Sequence, residues 1–201
     1  RSKRLINHLI KMTAYLESGA EFVEFSPEWV NKSTDHILQV EFNLENSVET
    51  TISDDLTGVV ERKFDPDYDI YKYVPAPRGL ELKYNIAPAQ SFVCAQNTGI
   101  ISDRTLEYEI FKNKIALTLL RATGTISNPY NPTRGTPAGP PLPTPDLQMC
   151  TKRADRFAVT FKTEKIYALS EKFKGALVGI HSDFTTEGLF SSGNEKILLS
   201  A

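Results

Sequence analysis

Apolar residues recur at every second position through most of this chain. Ile10, Met12, Ala14 and Leu16 alternate with Lys11, Thr13 and Tyr15, and Leu38, Val40 and Phe42 alternate with Gln39, Glu41 and Asn43. The same rule holds for Leu106, Tyr108 and Ile110 against Glu107 and Glu109, and for Phe157, Val159 and Phe161. Neighbouring side chains of a strand point to opposite faces, so each segment can bury one face and wet the other. Ile115-Ala-Leu-Thr-Leu-Leu120 reads as a more deeply buried strand. Turn residues separate these runs at Ser18-Gly19, Asn31 to Asp35, Asn97-Thr-Gly99, Lys112-Asn-Lys114 and Ser192-Gly-Asn194. Lys112-Asn-Lys114 predicts a hairpin. Arg4 to Leu16 also fits a 3.6-residue period, but Glu17-Ser-Gly19 and the alternating Glu21-Phe-Val-Glu-Phe25 favour a strand hairpin. Many short strands and no long helix predict an all-β fold, a large antiparallel β-sandwich. Asp65 to Pro88, with four prolines, reads mostly as loop lying over it.

One loop stands apart. Between Pro129 and Pro145 lie seven of the chain's twelve prolines, directly after the buried strand that ends near Arg121. Proline fixes φ and removes a backbone donor, so neither helix nor central strand can form there. A Pro-rich tether or a ligand for a polyproline-reading domain is one reading, since Pro140-Pro-Leu-Pro143 fits PxxP. Strands on both sides and only two charges between Thr123 and Gln148, Arg134 and Asp146, favour an ordered loop of about 122–148 within a single 1–201 domain.

With 201 residues, 40% of them hydrophobic, the chain can build one sizeable core. No apolar run approaches the ~18–20 residues that a membrane crossing needs, and Arg1-Ser-Lys-Arg4 does not open a signal peptide. A net charge of −2 with interspersed signs argues against nucleic-acid or anionic-membrane partners. Two distant cysteines, Cys94 and Cys150, suit free thiols and a cytoplasmic location. Both chain ends look cut from something longer.

Leu119-Leu-Arg-Ala-Thr-Gly124 followed by Ala138-Gly-Pro-Pro-Leu-Pro-Thr-Pro-Asp-Leu-Gln148 resembles the C-terminal region of family 38 glycoside hydrolases, the retaining, zinc-dependent α-mannosidases. The bacterial branch that includes mannosylglycerate hydrolases is the nearest in kind. Asp35-His-Ile-Leu-Gln-Val-Glu-Phe42 resembles that family's Asp-His-Arg-Leu-Arg-Val strand, with Ile37 and Gln39 in place of the arginines. Gly58 to Arg62, Pro88 to Val93, Glu107 to Phe111 and the pair Gly188 to Ser191 and Ile197 to Ala201 follow in the expected order. The resemblance implies a supersandwich of the galactose mutarotase-like type. It places the zinc ligands, nucleophile and acid/base in an N-terminal catalytic barrel, so this chain alone is expected to be inactive, with no catalytic residue, metal site or cofactor of its own. The partners implied are that barrel and a mannoside substrate, and a homo-oligomer is compatible with them. A loop carrying an Arg-Gly element reaches the mannose pocket in that family, and Arg134-Gly135 is the match here.

The bottom-up reading of candidate residues weighs chemistry against plain structure. Arg134 offers a planar fork to sugar hydroxyls, and Gly135 permits close backbone approach, but Arg134 can equally serve loop carbonyls or a barrel acid. Arg121, at the end of an apolar strand, reads as a buried ion-pair partner at a domain seam and secondarily as a substrate contact. Asn128 and Asn131 can bind sugar hydroxyls, yet Asn before Pro is a turn former. Asp65-Pro-Asp-Tyr-Asp69 opens like a calcium loop but lacks the Gly and Glu such a loop needs, which leaves an acidic turn. His8, His36 and His181 have no ligand spacing. Retaining glycosidases need two carboxylates ~5–5.5 Å apart, whereas Glu107 and Glu109 read as one wet strand face. An autonomous carbohydrate-binding module is the alternative function. It would use exposed Tyr71, Tyr73 or Tyr130, with Trp29 expected in the core.

Overall fold

The computed structural model describes residues 6–104 and 106–175. The expected strand pair in 188–201 and His181 lie outside the described residues. The fold is an all-β antiparallel sandwich. One sheet holds Ile10–Tyr15 (β1), Val23–Val30 (β2), Thr50–Asp55 (β4), Gly58–Lys63 (β5), Phe92–Ala95 (β7), Thr98–Ser102 (β8), Lys152–Ala154 (β13) and Phe157–Thr160 (β14). Its order is β1-β2-β14-β8-β7-β4-β5, with β13 paired to the far half of β2. The facing sheet holds Ile37–Asn43 (β3), Ile86–Ala89 (β6), Leu106–Phe111 (β9) and Lys114–Arg121 (β10) in the order β3-β10-β9-β6.

The alternating residues of β3, β9, β10 and β14 meet where the pattern places them, whereas all six residues of β1 are exposed, as are Leu16 and Phe161, so the first alternating segment buries neither face. Val40, Phe42, Leu106, Tyr108, Ile110, Ile115 and Leu117 from the small sheet pack on Phe25, Val93, Ile100, Phe157 and Val159 from the large one. The fully buried Tyr108 hydroxyl shares a 2.8 Å hydrogen bond with Thr51 Oγ1, so the phenol's polar end has a partner in the core. The β9–β10 hairpin turns on Lys112-Asn113, with Lys112 at φ +53°. The β7–β8 turn is Gln96-Asn97, one step earlier than the sequence suggests. Gly99 instead lies inside β8, where a Cβ would stand 2.7 Å from Ile166 Cδ1.

That close approach belongs to an element the period-two pattern does not announce. Helix α1, Ile166–Lys174, covers the outer face of the large sheet and buries Ile166, Leu169 and Phe173 on Phe92, Cys94, Ile101 and Ala158. β14 is therefore buried on both faces rather than wet on one: Phe157 points into the sandwich and Ala158 under the helix. Arg156 pins the helix. Its Nε and Nη2 donate to the two oxygens of Glu24 at 2.7 and 3.0 Å, Nη1 donates to the Phe173 carbonyl at 3.1 Å, and the guanidinium lies 4.0 Å from the Phe173 ring centroid. This bidentate contact holds the Glu24 carboxyl below its usual range and raises the Arg156 guanidinium further.

Glu24 has a lowered folded value, so its contribution is present above the unfolded carboxylate pKa of about 4.3 and fades as pH falls through the folded value. Arg156→Met is expected to cost about 1–2 kcal/mol at neutral pH, solvent screening keeping it at that level. The gap in urea midpoint between variant and wild type should narrow as pH falls below the unfolded carboxylate value, and a gap that stays constant until acid unfolding would contradict the clamp. The cysteines give a second check. Burial, with the Asp54 charge beside it, pushes the Cys94 thiol up to about 12, while Cys150 is exposed. A disulfide reagent at pH 8 should titrate Cys150 in the native protein and reach Cys94 only after denaturant is added. Equal reactivity of both in the native state would refute the packing under α1.

Candidate functional site: a proline tongue and its cleft

The tongue begins where β10 loses its regular register. Thr118 pairs with Gln39, but Leu120 pairs with Leu38, so Leu119 is an extra residue in the ladder. A bulge shifts the parity of everything that follows it. Leu120 turns inward onto Trp29, together with Ala122, Leu38 and Met149. Arg121, which strict alternation would aim at the core, is placed on the outer face instead. There its Nε and Nη2 donate to Glu107, the shortest contact being 2.6 Å, and Thr118 Oγ1 donates to the same carboxylate at 2.8 Å. The pair is an exposed one, with 46% of the Arg121 side chain accessible, rather than the buried partner that the sequence suggests. Glu109 on the same face accepts from Gln39 at 3.2 Å.

Ala122 and Met149, at the two roots of the tongue, both pack on Trp29. Above them Asp35 acts as a clasp. Its Oδ1 accepts the Gly124 N–H at 2.8 Å and the Gln148 amide at 2.9 Å, and the Gln148 side-chain oxygen accepts the Asp35 N–H at 2.8 Å. The tongue then pairs with itself, Thr125–Ile126 (β11) against Leu142–Pro143 (β12), and a 3₁₀ turn over Pro145–Gln148 closes it.

The middle of the tongue is zipped to the loop that precedes β6. Ala76 N–H donates to the Pro132 carbonyl at 2.7 Å, Leu82 N–H to Thr133 at 2.9 Å, and Gly135 N–H to Leu80 at 2.8 Å. Glu81 and Arg134 face each other across this isolated antiparallel bridge, and their side chains form an ion pair at 3.3 Å. Gly135 makes the approach possible, because a Cβ there would sit 1.8 Å from the Pro77 carbonyl oxygen. Asn128 Oδ1 accepts the Tyr130 N–H at 2.9 Å, and Asn131 Oδ1 accepts from Thr133 N–H at 3.1 Å and its hydroxyl at 2.7 Å. Both asparagines are thus turn formers whose carbonyl oxygens are spent on the backbone.

This arrangement encloses an open cleft of about 600 Å³. Asn131 and Arg134 line it, together with Asp35, Glu81, Asn128 and Tyr130. Gly135 and Arg121 do not, the first serving the zip and the second the outer sheet face. Asp35 and Glu81 escape sequence reasoning, since Glu81 lies in the poorly patterned 65–88 stretch and Asp35 reads as a turn residue. Among the described residues, no three His, Cys, Asp or Glu side chains gather where they could hold a metal ion. Asp65 and Asp69 each accept a nearby backbone N–H at 3.1 Å, which makes the Asp65–Asp69 segment an acidic turn. His8 Nε2 lies 2.7 Å from Ser33 Oγ.

Gly135→Ala should force the tongue off Pro77 and cost about 2–4 kcal/mol, of the order seen for severe overpacking. Gly139→Ala, whose Cβ would meet nothing closer than Ser127 Oγ at 3.5 Å, should be nearly neutral. Thermal melts with limited proteolysis check this pair, and equal behaviour of the two variants would disprove the zip.

No family model and no curated protein matches the chain. Its structure is similar to that of an α-mannosidase from Enterococcus faecalis V583, with a TM-score of 0.61 and 23% identity over 86% of this chain. It is also similar to a protein in glycosyl hydrolase family 38 from Enterococcus faecalis, with a TM-score of 0.61 and 21% identity over 86% of this chain. The chain spans 18% of the length of each neighbour. The sandwich is thus a fold found as one part of such glycosidases.

Proposed function

We propose that this chain is the C-terminal sandwich of a retaining α-mannosidase of glycoside hydrolase family 38, in the mannosylglycerate hydrolase-like branch, acting in the cytoplasm. The sandwich braces a catalytic barrel, and the tongue forms one wall of the active site. The observation that carries the reading is the Glu81–Arg134 bridge. It places the Arg134 side chain in the lining of an open cleft, with Nη1 3.3 Å from Glu81 Oε2 and the two backbones joined by the same bridge. Glu107 and Glu109 are tied to Arg121 and Gln39 on the outer sheet face. In this reading zinc, the nucleophile and the acid/base come from the barrel, and Arg134 and Asn131 orient a mannoside by hydrogen bonds to its hydroxyls.

An autonomous carbohydrate-binding module is favoured by one observation, the Tyr130 ring, which stands 88% exposed at the cleft. Arg134→Ala in the full-length polypeptide should lower kcat/KM for 4-nitrophenyl α-mannopyranoside about tenfold to a hundredfold, the cost of a charge-assisted contact. Product analysis by proton NMR should show α-mannose first. The isolated 201-residue chain should bind mannose no better than buffer in calorimetry. Tight binding by the isolated chain would favour the module, and absence of hydrolysis by the full-length polypeptide would end the mannosidase reading.

A further inference from the structure

β1 ends the large sheet. It pairs only with β2, so one side of its backbone has no strand partner among the described residues. An edge of this kind invites another strand, and proteins usually blunt it with charges, proline or a bulge. At the opposite end of the same sheet, β5 is blunted by Glu61-Arg62-Lys63. β1 has six residues, no proline and a single charge, Lys11. None of the six enters a core cluster, although Ile10 and Met12 stand in register with Trp29 and Pro27 of β2. An open row of Ile10, Met12 and Ala14 therefore runs along the free edge, and Leu16 extends it.

A second copy of the chain fits this edge. Residues directly opposite in an antiparallel pair share one face of the sheet, and a two-fold axis makes every contact reciprocal. With the axis at Thr13, Met12 meets the partner's Ala14 and Ile10 meets the partner's Leu16, so the apolar row continues across the axis without a charge. On the other face Lys11 meets the partner's Tyr15. The Tyr15 hydroxyl donates to Glu17 at 2.8 Å, which holds that carboxylate beside the ring and within reach of the incoming Lys11. Within its own chain, Lys11 stands in register with Glu28, but Glu28 is met by Lys152 at 3.7 Å.

We infer that β1 is a self-association strand: two copies join edge to edge across a two-fold axis at Thr13, forming one continuous sheet held in register by reciprocal Lys11–Glu17 contacts. The inference is independent of the mannosidase reading. So short an edge buries little area, and the dimer is accordingly a weak one.

Sedimentation equilibrium of the full-length polypeptide tests it. The average mass should climb from monomer toward dimer between about 1 and 100 μM. Lys11→Glu sets acid against acid in both copies of the contact, and Glu17→Lys sets base against base. Each variant should raise the dissociation constant about tenfold. Mixed in equal amounts, the two variants should associate again at wild-type concentrations, because every contact then joins an acid to a base. A monomer at about 100 μM would mean that the edge is paired within the polypeptide itself, and overturns the inference. A dimer that neither variant weakens, or that mixing does not restore, also overturns it. None of these results bears on the mannosidase reading, which hydrolysis decides.

Discussion

The tongue stays in place because two backbones touch where a side chain would keep them apart. With no Cβ at Gly135, the strip 132–135 lies directly on the strip 76–82 and exchanges N–H···O bonds with it. Seven prolines reduce the conformations this segment can lose on ordering, so few contacts suffice to hold one shape. The Asp35 clasp and the Trp29 pocket fix its two roots. The cleft and the bridge between Glu81 and Arg134 inherit their geometry from those anchors.

Long loops without regular structure are uncommon in compact domains unless they do something. Here the sandwich supplies the platform on which the tongue is anchored. The cleft is open, and several large apolar side chains of the tongue, Ile126, Leu142 and Leu147, remain exposed. The chain spans 18% of the length of each structural neighbour.

Strand identity was legible because alternation is a local property. Leu38 to Phe42, Leu106 to Ile110 and Val23 to Phe25 are strands with the faces that their residues suggest. Two things were not local. The bulge at Leu119 flips Arg121 to the outside, and nothing in Leu-Thr-Leu-Leu marks which residue will be left unpaired. Helix α1 arises from Ile166, Leu169 and Phe173 at helical spacing, a signal brief enough to be lost between charged residues. Its presence also explains why Phe157 to Thr160 is buried on both faces. In the cleft, Arg134 and Asn131 could be picked from the proline loop by residue type. Asp35 and Glu81 could not, because their importance comes from pairings across 89 and 53 positions of chain, from Asp35 to Gly124 and from Glu81 to Arg134.

The most direct test of the fixed tongue is amide hydrogen exchange on the 201-residue chain, read at Gly124, Gly135, Ala76, Leu82 and Thr144, whose N–H groups make the anchoring bonds. The account predicts protection at all five well above that of exposed loop amides, with Gly135 and Leu82 exchanging together as one unit. Exchange at unfolded-chain rates for Gly135 and Leu82, with the core strands still protected, would contradict it.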